Sequence, residues 1–510
     1  MKMEYIVNTK QGKLQGSKEN NLFVFRGIPF TEPPVGNLRW MPPQPFPAWE
    51  GVRPALKYGT IAPQKMMPAG GPIAVGTSET QSEDCLYLNV CSSGLDDKKR
   101  PVMVWIHGGA FSIGSGSEAM FRSGSIAERG DVVLVTTNYR LGALGFLNLD
   151  KVTGGKIPST GNEGLLDQVA ALEWVRDNIA GFGGDPDNVT IFGESAGGMS
   201  VASLMVLPRA RGLFHKAIIE SAVGAIGRPL ENSIYTAETF LNIAGISADD
   251  VDGLMNMPPK KILEVQAKVA LETDQGEAPC IPVADGKIMP LMPLEAFSKG
   301  KAARVPTMIG TNLDEQKLFS FMNPLHMKMG DQYLVKLLTR NVPEENIPMI
   351  IDVYKKEKEK RGESVRPLDL YSAINTDIMF RNIALHIIGA QLGHGISAYN
   401  YLFTWKSPAL GGALGAAHAL EVGFVFGTMD DVFCGQGPAV DKLSGQMQDA
   451  WTAFARTGNP SCDSLGEWPE YGTERKTMII SENCHVEDAA YEEERKIWEK
   501  VGPVDINRML

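Results

Sequence analysis

Ser195 stands in Gly193-Glu194-Ser195-Ala196-Gly197. It follows the apolar, β-branched run Val189-Thr190-Ile191-Phe192 and precedes a helix-compatible stretch, Met199 to Val206. Strand, sharp turn and helix, in that order, form the context in which Gly-x-Ser-x-Gly lifts a serine hydroxyl above a sheet edge as a nucleophile. Gly193 and Gly197 lack a Cβ, so strand and helix can close on each other beside the serine. The N–H of Ala196 then points at whatever Ser195 attacks. The same pentapeptide also occurs as an ordinary glycine-rich turn, so the reading depends on groups found elsewhere.

A serine hydroxyl is a weak nucleophile at neutral pH. It needs a base within hydrogen-bond reach and an acid that orients the base. Acid candidates lie in Ile309-Gly310-Thr311-Asn312-Leu313-Asp314-Glu315. A strand ends there at Gly310 or Thr311, and two carboxylates follow at its C-terminal edge, where open α/β sheets place their sites. A solvated loop carboxylate is the ordinary alternative for either one. The base candidate is His418, crowded by small residues in Gly415-Ala416-Ala417-His418-Ala419-Leu420-Glu421. His386, in the apolar run Ile383 to Ile388, reads as a buried helix residue. His215, His326, His394 and His485 have polar or irregular settings. An acyl-transfer site also needs backbone N–H donors where the oxyanion forms. Gly108-Gly109-Ala110, leaving a buried strand, can supply them together with Ala196, and His107 would brace that loop.

The elements that must position these groups follow from hydrophobic pattern. Residues 4 to 30 alternate apolar and polar around Gly12, Gly16 and Gly27 and read as antiparallel strands. Cys85 to Val90 reads as a strand. Pro101 to Ile106 and Val132 to Thr137 are continuous apolar runs, which suit strands covered on both faces. From Gly164 the period becomes helical, with Leu165, Val169, Leu172 and Ile179 on one face and Asp167, Gln168, Glu173 and Asp177 away from it. Lys216 to Glu220, Val305 to Thr311 and Ala398 to Trp405 read as further strands, and Ala439 to Arg456 as an amphipathic helix. The charged run Lys355 to Arg361 reads as a solvated helix face, and the glycine-rich stretch Pro68 to Ser78 as a surface loop. Strands alternating with helices imply an α/β fold with a mostly parallel sheet covered on both faces. Helical insertions are expected at about residues 225–300 and 320–395 within a single domain spanning 1–510.

The 510 residues are 43% hydrophobic with a net charge of −11. A basic stripe that could collect phosphates is missing, so nucleic acid is not expected as a partner. The first residues lack the apolar core of a signal peptide and the chain has no bilayer-length apolar run, so a cytoplasmic protein with no membrane partner is expected. The six cysteines are scattered, with no Cys-x-x-Cys, and read as reduced thiols. Neither a metal-ligand spacing nor a dinucleotide or phosphate fingerprint is present, so no cofactor and no metal are expected.

Taken together, these pieces resemble the type B carboxylesterase family, which also contains the cholinesterases. The matching stretches are Phe25 to Phe30, Ser82 to Val90, Trp105 to Phe111, Asn138 to Gly142, Gly161 to Trp174, Phe182 to Pro186, Phe192 to Gly198, Gly310 to Glu315 and His418 to Gly427. They run over nearly the whole chain in family order. The likeness is closest to bacterial esterases that hydrolyse p-nitrobenzyl esters. The resemblance implies the α/β-hydrolase fold, with Ser195 as nucleophile, Glu315 as acid and His418 as base. It implies an oxyanion hole from Gly108, Gly109, Ala110 and Ala196, with Glu194 and Ser221 as polar groups behind the triad. It also implies structural ion pairs Arg39–Glu83 and Arg140–Asp167.

The chain departs from the family pattern in four places. No cysteine precedes Cys85, so the bridge that secreted relatives make there cannot form. Pro63 to Gln81 contains no aromatic residue, where cholinesterases carry a tryptophan to hold a quaternary ammonium by cation–π attraction. A choline-ester preference is therefore not expected. Ala110 replaces a third glycine, which leaves its N–H in place. Gln316 replaces a glycine after the acid, and a small shift of that turn is expected. The activity implied is hydrolysis of small to medium neutral carboxylic esters through an acyl-enzyme, by a monomer or weak homo-oligomer. An amidase, thioesterase or carbamate hydrolase would use the same groups. A non-catalytic adhesion relative would usually have lost the serine or histidine.

Overall fold

Runs of β-branched and aromatic residues with no polar alternation can be satisfied only when both faces of a strand are covered. In the computed structural model, which describes residues 5–65, 79–224, 226–273 and 278–502, those runs form the centre of one sheet. The strands are β1 (Tyr5–Asn8), β2 (Lys13–Glu19), β3 (Leu22–Pro29), β4 (Val52–Pro54), β5 (Tyr87–Ser92), β6 (Arg100–Ile106), β7 (Val133–Thr137) and β8 (Gly184–Glu194). They continue with β9 (Lys216–Glu220), the short β10 (Arg228–Pro229) and β11 (Val283–Ala284), then β12 (Thr307–Asn312), β13 (Ala398–Phe403), β14 (Lys476–Ile480) and β15 (His485–Asp488). Spatial order in the large sheet is β1-β2-β3-β5-β7-β6-β8-β9-β12-β13-β14-β15, with β4 beside β2. From β7 to β14 every neighbouring pair is parallel. Toward the two edges the pairings β1-β2-β3-β5-β7 and β14-β15 are antiparallel, as expected for the hairpins of residues 4 to 30, while β4 lies parallel to β2.

Two apolar cores cover the two faces. One joins Val104, Ile106, Val189, Ile191, Ile219 and Ile309 to helices Glu163–Asn178 and Ala196–Val206. The other joins Met103, Trp105, Phe192, Ile218 and Tyr401 to helix Pro438–Thr457. Helices between β9 and β12 and between β12 and β13 make up most of the two long excursions, and β10 pairs with β11 inside the first. Among the described residues no helix is long and apolar enough to cross a membrane.

Register decides what meets at the sheet's C-terminal edge. Glu194 pairs with Glu220, Glu220 with Gly310, and Gly310 with Tyr401. One level of four adjacent strands thus carries two glutamates. Gly310 is required there, because a Cβ would sit 2.3 Å from the Tyr401 ring.

Asp167 and Gln168, set off the apolar face by their period, are nevertheless buried. The helix Glu163–Asn178 is enclosed nearly all round. Asp167 takes the Arg140 guanidinium at 2.7 Å and Gln168 Nε2 donates to Ser200 Oγ at 3.0 Å. His386 is exposed rather than buried: it lies on the outer side of helix Asn382–Gly393, against Ser298 Oγ at 2.8 Å. The strand expected at Cys85 to Val90 begins two residues later. The stretch Pro68 to Ser78 lies outside the described residues. Both ion pairs form, and Arg39 also donates to the carbonyls of Met255 and Met257, tying the first helical excursion to the N-terminal segment. All six cysteines are unpaired.

Candidate active site

Strand β8 ends at Glu194, and Ser195 takes φ 56° and ψ −121° before the helix Ala196–Val206 begins. A positive φ at a non-glycine residue costs free energy, and packing must hold it. The packing is visible at the flanking glycines. A Cβ on Gly197 would lie 2.0 Å from the carbonyl oxygen of Ile106, and one on Gly193 would lie 2.5 Å from the same atom. The Ser195 N–H donates to Glu220 O at 3.0 Å, which fixes the turn to the next strand. Within residues 191–200 only Ser195 is not buried.

The Gly108-Gly109-Ala110 loop leaves β6 beside this turn. A Cβ on Gly108 would lie 3.3 Å from Ser195 Cβ and 3.0 Å from Glu194 Oε2, so both side chains face that backbone. Gly109 has φ 100° and Ala110 φ 52°, which turns the chain sharply. Among the described residues the N–H groups of Gly109, Ala110 and Ala196 meet no acceptor. His107 braces the loop from below. Its Nδ1–H donates to Gly108 O at 2.8 Å and its ring stacks on Tyr139, 4.4 Å between centroids. Burial pushes His107 down to about 4, so it stays neutral.

The two carboxylates after β12 separate as adjacent residues in a turn should. Glu315, first residue of helix Glu315–Met322, is fully buried. Its Oε2 meets His418 Nδ1 at 2.6 Å. Its Oε1 accepts from Ser221 Oγ and from the Asn312 N–H, each at 2.6 Å. Asp314 turns the other way: its Oδ2 accepts the Ala416 N–H at 3.0 Å, and its N–H donates to Ala416 O at 2.9 Å. It clamps the loop that carries His418. Gly415, with φ +64°, makes that clamp possible, since a Cβ there would lie 2.3 Å from Asp314 Oδ2. Gln316 is buried, with its N–H on Thr376 Oγ1 at 3.1 Å and its Oε1 accepting from Asn375 at 2.7 Å.

His418 is held from both ends. Opposite Glu315, its Nε2 lies 3.0 Å from Glu194 Oε1. Among the described residues no hydrogen bond joins His418 to Ser195 in this conformation, so Nε2 faces the carboxylate preceding the serine. Burial disfavours the imidazolium, but Glu194 and Glu315 outweigh it and raise His418 to about 9. Burial also raises Glu194, to about 7, and the nearby imidazolium opposes that rise. We take the charged pair as the dominant form when the site is protonated, because each member stabilises the other's charge. Phe319 and Phe380 flank the imidazole at 5.1 and 5.2 Å and give it an apolar wall.

Sequence reasoning named Ser195, Glu315, His418, the oxyanion loop, Glu194 and Ser221. It did not name Asn312, Glu220, Glu421, Phe319 or Phe380. A signal existed for two of them. Glu220 closes the apolar run Ala217-Ile218-Ile219, and Glu421 sits in the apolar run Leu420 to Phe426. A carboxylate in such a run must find buried partners.

A sequence profile described as "Carboxylesterase family" matches residues 3–498. The para-nitrobenzyl esterase of Bacillus subtilis (strain 168) is 38% identical, covering 98% of this chain and 99% of its own length. The phenmedipham hydrolase of Pseudarthrobacter oxydans is 34% identical, covering 93% of this chain and 94% of its own. Among solved structures, the Geobacillus stearothermophilus carboxylesterase EST55 at pH 6.2 superposes with a TM-score of 0.85 at 39% identity, covering 97% of this chain and 99% of that one.

Proposed function

The chain belongs to the carboxylesterase family and is a serine carboxylic-ester hydrolase of the α/β-hydrolase fold, and on that premise we propose that Ser195, His418 and Glu315 are its catalytic triad. The observation that carries the assignment is the 2.6 Å contact between His418 Nδ1 and the buried Glu315, beside a serine held at φ 56°. Ser195 Oγ attacks the ester carbonyl. His418 Nε2, turning from Glu194 to Ser195, takes the hydroxyl proton and delivers it to the leaving alcohol. Glu315 holds the Nδ1–H tautomer and stabilises the imidazolium. Catalytic hydrogen bonds are often long in a free enzyme and tighten with substrate, so the Glu194-facing orientation is a resting state. The N–H groups of Gly108, Gly109, Ala110 and Ala196 receive the tetrahedral oxygen. Water then releases the acid by the same steps.

The substrates we propose are neutral esters of small to medium size. Phe319 and Phe380 line the space beside His418 with apolar surface, and Pro63 to Gln81 offers no aromatic ring to a quaternary ammonium. We further propose a cytoplasmic protein acting as a monomer or weak homo-oligomer, without nucleic-acid partners; its net charge of −11 supports the last point.

A rate panel tests this reading. It should compare p-nitrophenyl esters from acetate to decanoate, butyrylcholine, phenmedipham, and matched amide, thioester and carbamate substrates. The expected result is highest kcat/KM on neutral esters and poor turnover of butyrylcholine. Equal efficiency on butyrylcholine and p-nitrophenyl butyrate would contradict the substrate class. Faster amide or carbamate hydrolysis would move the chain to another acyl-transfer activity on the same triad.

A further inference from the structure

Phe380, whose ring lies 5.2 Å from that of His418, sits on a widened helical turn. Helix Pro367–Thr376 runs on through Asp377–Arg381 into helix Asn382–Gly393, and the Asn382 N–H reaches back five residues to Asp377 O. Such a π turn is rare and is found frequently at functional sites. It interrupts the ordinary four-residue ladder, so contacts from outside the helix fix its shape. On the active-site side, Met379 O accepts the Gly224 N–H at 2.9 Å. Just before the turn, Thr376 and Asn375 bond Gln316, the neighbour of Glu315. On the far side lies a chain of buried polar groups. Trp498 Nε1 donates to Tyr354 OH at 2.7 Å. An indole N–H can only donate, so the phenol receives that bond and gives its own proton to Asp377 Oδ2. Arg381 meets the same carboxylate oxygen at 2.6 Å, joining the first residue of the turn to the last. Tyr354 belongs to helix Ile347–Lys360 and Trp498 to helix Glu492–Val501. Tyr491, which precedes that last helix, lies 4.5 Å from the Arg361 guanidinium and 4.7 Å from that of Arg381.

We propose that helix Glu492–Val501, acting through Trp498 and Tyr354 on Asp377, sets the π turn and with it the place of Phe380 beside His418. Trp498, Tyr354 and Asp377 are then positioning residues for the wall that faces the substrate. Asp377 and Phe380 share one turn, so a shift at Asp377 carries Phe380 with it. Phe380 also stacks on Phe319, 6.3 Å between centroids, so its displacement reaches both rings beside the imidazole. Trp498, Tyr354 and Asp377 are all buried. Without the Tyr354 hydroxyl, the Trp498 N–H and Asp377 Oδ2 each lose a partner where water does not replace it. The turn then settles in a different position to recover those bonds. The proposal rests on the triad reading above.

A double-mutant cycle on the full-length enzyme tests it, with active sites counted by phosphonate titration so that kcat and KM refer to folded enzyme. Tyr354→Phe removes only the hydroxyl. Its KM for p-nitrophenyl butyrate should rise about threefold to tenfold, the range for one lost buried hydrogen bond, with kcat per site changed by less than about twofold. Trp498→Phe leaves the bond from Tyr354 to Asp377 in place and should raise KM by less. In a Phe380→Ala background, Tyr354→Phe should have no further effect on KM, because its path to the substrate is gone; independent sites would instead add. Ile350→Val, in the same small apolar core as Tyr354, should lower Tm and leave KM unchanged. An unchanged KM in Tyr354→Phe, an additive effect in the Phe380→Ala background, or an equal rise in Ile350→Val would overturn the proposal. Should Tyr354→Phe not fold, the same cycle with Trp498→Phe decides by the same criteria. His418→Ala is the control for the triad, expected to lose about 10⁴- to 10⁶-fold in turnover. A His418→Ala enzyme that kept most of its rate would break the triad reading. An inactive His418→Ala with additive effects of Tyr354→Phe and Phe380→Ala would break only the role of the helix.

Discussion

Replacing Glu194 by glutamine should move the acid limb of ester hydrolysis to lower pH. The substitution keeps shape and removes one charge, 3.0 Å from His418 Nε2. In the wild-type protein the two carboxylates raise His418 from 6.5 to about 9 against the opposing effect of burial. An opposite charge at such a distance lifts a titrating group by about 1–3 pKa units, or about 1.4–4 kcal/mol. Loss of that charge lowers the folded-state value by the same amount, so neutral, base-competent His418 persists to lower pH. The assay is kcat/KM for p-nitrophenyl butyrate from pH 5 to 10, which reports ionisations of the free enzyme. In wild type the limb belongs to the Glu194–His418 pair, because one proton couples both groups. Glu194→Gln should show a limb about one to three units lower, whatever happens to its plateau. Glu194→Ala should shift it similarly, because charge rather than shape is the cause. An unmoved limb, or one at higher pH, would refute the reasoning.

Two further perturbations read out the buried ionic groups. Glu220 is fully buried, with Oε1 on Trp451 Nε1 at 3.0 Å, and burial raises it to about 8. A carboxyl whose folded value exceeds its unfolded one gives stability at low pH that is lost as pH rises from about 4.5 to about 8. At pH 7 that is a loss of about 3 kcal/mol, so Glu220→Gln should raise Tm there, with a gap that shrinks toward pH 4.5; a lower Tm at pH 7 to 8 would contradict this. Asp167→Asn leaves the Arg140 guanidinium buried without its counter-charge and should cost about 3–5 kcal/mol, seen as a much shorter half-life on heating.

Much of the candidate site could be read from sequence because its parts are local. The turn proposed to carry the nucleophile is one strand-turn-helix segment, with glycines where a Cβ would strike Ile106 O, and the proposed oxyanion loop is a Gly-Gly step leaving an apolar strand. The pairing of the proposed acid and base is not local: Glu315 and His418 are 103 residues apart. From local pattern Asp314 and Glu315 were equivalent, and only family resemblance separated them; in the fold Asp314 holds the Gly415–Ala416 backbone while Glu315 meets the imidazole. Periodicity set Asp167 and Gln168 off the apolar face but could not show that they are buried, because periodicity reports polarity and a buried ion pair looks polar. His386 failed in the opposite sense, a polar residue on the exposed edge of an otherwise apolar helix. Glu220 and Glu421 were missed because their company comes from strand register and from the chain's return after β13. The contact between Glu194 and His418 depends on the same long-range geometry.

The most direct measurement is to identify the residue that becomes covalently modified during turnover. A p-nitrophenyl alkylphosphonate should release one equivalent of p-nitrophenol per chain and abolish activity. Peptide mapping by mass spectrometry should then place the adduct on Ser195. Ser195→Ala should fold, take up no label and lose about 10⁴- to 10⁶-fold in turnover. A label on any other residue, or a Ser195→Ala enzyme within tenfold of the wild-type rate, would contradict the account.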